Sequence, residues 1–195
     1  MRIGAAIVAF VAAISLVAQW QVSGTLMIGA KPAAVAWRML GYFTVLGNLA
    51  TLVIMLRIAF GSKIRARRAA AITVVMIVIG LGYHGLLAGI WLPVGKAWWA
   101  DQGLHTAVPA LTVFWWVAFA PKAGLKWYDS IRWLIWPILY ADYAVVRGLA
   151  SGFYPYPFLD VSVLGMAQVA INIVALAAAF VALGLLLVAV AKAIR

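Results

Sequence analysis

The sequence predicts an all-α fold: a polytopic membrane protein, a six-transmembrane-helix bundle with both termini cytoplasmic, built as a single transmembrane domain over residues 1–195. Three observations predict it. Hydrophobic residues make up 68% of the chain and charged ones 10%, with a mean hydropathy of +1.10. Soluble domains are roughly half apolar and a quarter charged, so lipid is the expected solvent. The apolar segments are long enough for helical spans of about 20 residues, and they lack the alternation that marks the strands of a membrane barrel. Lys and Arg collect at the segment ends, and mainly on one side.

The first span covers about residues 3–22, after Arg2. It is expected to be retained rather than cleaved, because its apolar stretch is long and no small-residue cleavage site follows. The second covers about residues 35–60 and leads into a basic loop with Lys63, Arg65, Arg67 and Arg68. The third covers about residues 70–92, stopped by Pro93, and the fourth about residues 103–120, stopped by Pro121. The fifth covers about residues 130–149. An aromatic, proline-rich turn at residues 151–158 then opens the sixth, at about residues 160–190. That last stretch exceeds one bilayer thickness, so a tilt or an extension beyond the membrane is expected.

With six spans, 11 of the 15 Lys and Arg fall on the side of the termini, and Lys31, Arg38, Lys96 and Arg147 on the other. The positive-inside rule then places both termini in the cytoplasm. Trp20, Trp37, Trp91, Trp98, Trp99, Tyr154 and Tyr156 fall near the opposite face, as an aromatic belt would. The net charge of +11 is read as this topology signal, with no nucleic-acid partner expected. The absence of Cys removes disulfides and thiolate chemistry. Two His with nearby Asp match no metal-binding spacing, so neither a metal nor a cofactor is expected.

Polar residues can then be assigned depths at about 1.5 Å per helical residue. Thr44 and Asn48 on the second span, His84 on the third, Asp101 and His105 on the fourth, and Asp142 and Arg147 on the fifth all map to the outer half. Asp160, Gln168 and Asn172 on the sixth join them. The inner halves carry little beyond Thr73, Thr112 and Ser130. Ionisable groups inside spans usually line a cavity or pathway. Their one-sidedness suggests a closed-bottom pocket rather than a pore, which needs polar lining throughout. Taken singly, each of these residues also has a structural explanation. A helical Thr bonds its own carbonyls, Asn joins helices, and the aromatic loop can be an interfacial anchor.

Three segments carry a resemblance. Gly41-Tyr-Phe-Thr-Val-Leu-Gly-Asn48 resembles the second-helix motif of the androgen-induced and androgen-dependent TFPI-regulating protein family of transmembrane threonine hydrolases, which has bacterial six-transmembrane relatives. Gly103-Leu-His-Thr-Ala-Val-Pro109 resembles that family's fourth-helix motif, and Tyr156-Pro-Phe-Leu159 its motif before the last helix. The order and spacing match over most of the chain, and the surroundings of Thr44 look closer to the bacterial members. The resemblance implies a multi-pass protein of the bacterial cytoplasmic membrane. It also implies a threonine nucleophile at Thr44, a catalytic histidine at His105, and a lipid ester as substrate, of the type of a fatty acid ester of a hydroxy fatty acid.

The chemistry is coherent. A Thr hydroxyl is a weak nucleophile and needs a base, which imidazole commonly supplies near neutral pH. A third group can hold the imidazole tautomer, and Asp101 and Asp142 are both candidates. Asn48, His84 or Arg147 could stabilise an oxyanion or bind a lipid carboxylate. The alternative is a small-molecule or lipid transporter or binding protein using the same pocket. It would show inverted repeats or broken helices at mid-membrane, and no repeat is visible. A structural membrane subunit is a third reading.

Overall fold

Long apolar segments satisfy their own backbone groups as helices, which lipid demands, and every regular element among the described residues is helical. The computed structural model describes residues 1–90 and 92–194. The belt residue Trp91 and the terminal charge Arg195 lie outside the described residues. Among the described residues, three helices are long and apolar enough to cross a membrane, and a bent pair makes a fourth if counted as one span. The chain is therefore a helical membrane protein with three or four candidate spans. It divides into two compact units, Met1–Ala123 and Gly124–Arg195.

In the first unit, α1 (Arg2–Leu26) packs against α3 (Phe43–Ala59), α5 (Lys96–Gln102) and α6 (Val108–Phe119). Its buried stripe is Ala5, Val8, Ala9, Ala12, Ser15 and Leu16. This is a helical spacing of small residues that lets neighbouring backbones approach closely. Leu16, Val35, Met39, Val45 and Leu104 form a core beside it, and Trp115 and Trp116 are fully buried on α6. α4 (Ala66–Gly82) packs on α3 and α6. Lys122 closes α6 by donating from Nζ to the carbonyls of Val117 (2.9 Å) and Ala120 (3.0 Å). Partial burial lowers its pKa.

The expected second span is not one helix. α2 (Pro32–Met39) and α3 meet at 94°. Gly41, a poor helix former, lies in the break, and Tyr42 is extended (φ −93°, ψ 130°). Thr44 is therefore in the first turn of α3 rather than along one straight helix continuous with α2. The third expected helix also ends early. α4 runs into a π-helical turn at Tyr83–Leu87, where the Ala88 N–H donates to the Tyr83 carbonyl at 2.9 Å. The expected fourth span begins seven residues earlier, at Lys96, and passes through a second π turn, Gly103–Ala107, before α6.

The second unit holds α7 (Asp129–Arg132), α8 (Ile135–Ser151) and α9 (Val161–Ala193). α7 and α8 together occupy the expected fifth span, with Trp133 and Leu134 between them. α9 has 33 residues and is interrupted at Gly165 (φ 75°, ψ 157°), a conformation that an L side chain resists. Asp160 caps it by accepting from the Ser162 N–H at 2.9 Å. The aromatic turn is more than a surface anchor. Tyr156 is buried, stacks on Phe158 with centroids 5.1 Å apart, and lies edge-on to Tyr140.

Candidate active site

Pro109 shapes the segment that carries His105. Proline has no N–H to donate to the carbonyl four residues back, and its ring would clash with that carbonyl. Here that carbonyl is His105's. The chain widens instead, and the Val108 N–H bonds to the Gly103 carbonyl five residues back. Such π turns recur at functional sites. Two glycines hold this one in place. A Cβ at Gly103 would collide with the Ser15 side chain of α1, and a Cβ at Gly80 of α4 would stand 3.3 Å from the His105 carbonyl oxygen.

Against this turn stands the start of α3. Thr44 Oγ1 lies 3.2 Å from His105 Nε2. The other ring nitrogen, Nδ1, lies 3.2 Å from Asp101 Oδ1 and 3.1 Å from the Asp101 carbonyl. Both Nδ1 partners only accept, so Nδ1 carries the proton. Nε2 then presents its lone pair, and the Thr44 hydroxyl donates to it. Thr44 and Asp101 are buried, while the His105 side chain keeps 15% exposure. The Tyr83 ring stacks on the imidazole with centroids 4.1 Å apart and planes 17° apart.

Three other buried threonines of the first unit bond within their own helices. Thr51, Thr73 and Thr112 each donate to the carbonyl four residues back, at 2.8 Å, a common fate of helical threonine. The Thr44 hydroxyl reaches a side chain on another element.

Asn48 is fully buried one turn along α3. Its Nδ2 donates to the carbonyls of Thr44 (2.8 Å) and Leu104 (3.2 Å). It thereby ties the backbone carrying the hydroxyl to the backbone carrying the imidazole. Both amide hydrogens are engaged, which suits positioning rather than donation to an oxyanion. Its Oδ1 is buried with no hydrogen-bond partner among the described residues, at a typical cost of about 1–3 kcal/mol.

His84, on the first π turn, is exposed, and its Nε2 meets Thr106 Oγ1 at 2.9 Å. The structure thus brings Thr44, Asn48, His84, Asp101 and His105 into one neighbourhood. Asp142 and Arg147 belong to the second unit. Asp142 is exposed on α8, and buried Arg147 donates from Nη1 to the Tyr143 hydroxyl at 3.0 Å and packs on Phe153. Among the described residues, no three His, Cys, Asp or Glu side chains form a metal-binding group.

Sequence reasoning missed Tyr83, Gln102 and Thr106. A signal was present for two of them. Asp101-Gln-Gly-Leu-His-Thr106 contains two staggered polar pairs four residues apart, Asp101 with His105 and Gln102 with Thr106, and residues so spaced share a helix face. No family model matches the chain, and neither a curated protein nor a solved structure is similar to it.

Proposed function

We propose that the protein is an intramembrane hydrolase that cleaves a lipid ester with Thr44 as nucleophile and His105 as general base. The observation that carries this reading is the 3.2 Å contact between Thr44 Oγ1 and His105 Nε2, with the far side of the imidazole held by Asp101. As Oγ1 attacks the ester carbonyl carbon, its proton passes to Nε2. Asp101 stabilises the imidazolium that forms. The tetrahedral intermediate collapses, and the alcohol leaves with the proton from Nε2. A water then gives its proton to Nε2 and attacks the acyl-threonine. The acid departs, and the proton returns to Thr44 Oγ1. Thr44 sits in the first turn of α3, where the positive end of the helix dipole favours developing negative charge.

The resemblance to the transmembrane threonine hydrolases points to the same pair and to a fatty acid ester of a hydroxy fatty acid as substrate class. The proposed setting is a six-span protein of the bacterial cytoplasmic membrane with both termini inside. The spans would be α1, the α2–α3 pair, α4 with its π turn, α5 through α6, α7 with α8, and α9.

The test is turnover of a panel of lipid esters by purified protein. Wild type should release acid, and Thr44→Ala and His105→Gln should each lower the rate by about 10³-fold or more. Equal hydrolysis by wild type and Thr44→Ala would remove Thr44 from the mechanism. Solute flux that is indifferent to Thr44→Ala, without ester cleavage, would mark a carrier instead.

A further inference from the structure

The second oxygen of Asp101 leads away from the Thr44–His105 pair along an unbroken line of side chains. Gln102 Nε2 donates to Asp101 Oδ2 at 3.4 Å. Thr106 Oγ1 donates to Gln102 Oε1 at 2.8 Å. His84 Nε2 meets Thr106 Oγ1 at 2.9 Å. The direction of every bond follows from the carboxylate, which only accepts. Gln102 must turn its NH2 toward Asp101, so its carbonyl oxygen faces Thr106. Thr106 must spend its one proton on that oxygen, so it accepts from His84, and the His84 proton is on Nε2. On the other side, His105 must hold its proton on Nδ1.

We propose that Gln102, Thr106 and His84 form a positioning arm. The arm fixes Asp101 Oδ2 so that Oδ1 stays on His105 Nδ1, and the one carboxylate sets the two histidines in opposite tautomers. This rests on the catalytic reading of Thr44, His105 and Asp101. The arm touches no reacting atom and works through Asp101. The 2.9 Å bond between His84 and Thr106 joins the two π turns, so the widened backbone of both segments serves the same contact. Tyr83 braces both rings, stacked on His105 and edge-on to His84 with centroids 5.0 Å apart. The weakest link is the 3.4 Å bond from Gln102, which is longer than most N–H···O bonds. Because the arm reaches Asp101 only through this bond, replacing Gln102 should cost at least as much as removing the Thr106 hydroxyl.

The chain has two histidines, so an imidazole ¹⁵N spectrum of labelled, detergent-solubilised protein contains two rings, and His84→Gln assigns them. Wild type should show His105 protonated at Nδ1 and His84 at Nε2. Thr106→Val should convert His84 to a tautomer mixture and also shift the His105 Nδ1 resonance. Thr106→Ser should restore both. In ester turnover, Thr106→Val should lower kcat about tenfold with KM unchanged, and the loss should vanish in an Asp101→Asn background. The arm is refuted if wild-type His84 carries its proton on Nδ1, or if Thr106→Val leaves His105 unmoved. The spectrum needs no substrate. The predicted spectra without any ester cleavage would keep the arm and remove the hydrolase reading, whereas cleavage with unmoved spectra would do the reverse.

Discussion

Asp101 Oδ1 faces His105 Nδ1 from a site only 5% exposed, so little water competes for the carboxylate. Replacing it with asparagine keeps the shape and places an amide near Nδ1. If the amide donates there, the imidazole proton moves to Nε2, and the lone pair that receives the Thr44 proton is lost. Asp101→Asn should therefore lower kcat for ester cleavage by as much as ~10⁴-fold while KM changes little. A rate within a factor of about three of wild type would remove Asp101 from the catalytic group. The four-residue spacing of Asp101 and His105 was legible in the sequence, because it stacks two side chains on one helix face. The choice of Asp101 over Asp142 was not. Asp142 is also an aspartate on an apolar helix, and its exclusion from the first unit follows from how the chain divides. The double tether of Asn48 was equally invisible, since Leu104 joins it only through a backbone carbonyl.

At the scale of elements, the widened turn at Gly103–Ala107 matters more than helix length. Pro109 forces the carbonyl of His105 out of its helical bond, and Gly103 lets the turn close onto Ser15 of α1. A side chain at Gly103 must push α1 away or move the turn. Gly103→Leu should cost about 1–3 kcal/mol of stability, the usual penalty of overpacking, and should cut activity beyond what the lost stability explains. Thermal unfolding in detergent beside turnover checks this. Unchanged melting and unchanged turnover would mean that the contact is not limiting. Helix existence was readable from hydropathy nearly throughout, but the 94° bend between α2 and α3 was not. Hydropathy sums apolar character and is blind to direction. Gly41 followed by extended Tyr42 is a local backbone event within one apolar run. The bend sets Thr44 at the start of α3 rather than within one straight helix.

At the scale of the molecule, the apolar composition points to a membrane protein before any coordinates. Among the described residues, three candidate spans and one bent pair are consistent with that. The proposed six-span topology is directly testable because the chain has no Cys. Single cysteines placed beside Arg2, Arg67, Lys126 and Lys192 should react with an impermeant maleimide only after the cells are opened. Ones beside Lys31 and Lys96 should react in intact spheroplasts. Labelling of Arg67 and Lys96 sites from the same side would require a different span count. The most direct test of the nucleophile is the mass of the acylated protein. Intact-protein and peptide mass spectrometry, after brief exposure to an activated lipid ester and acid quench, should show one acyl adduct on the peptide containing Thr44. The adduct should be absent in Thr44→Ala and strongly reduced in His105→Gln. An adduct on any other residue that persists in Thr44→Ala would contradict the assignment.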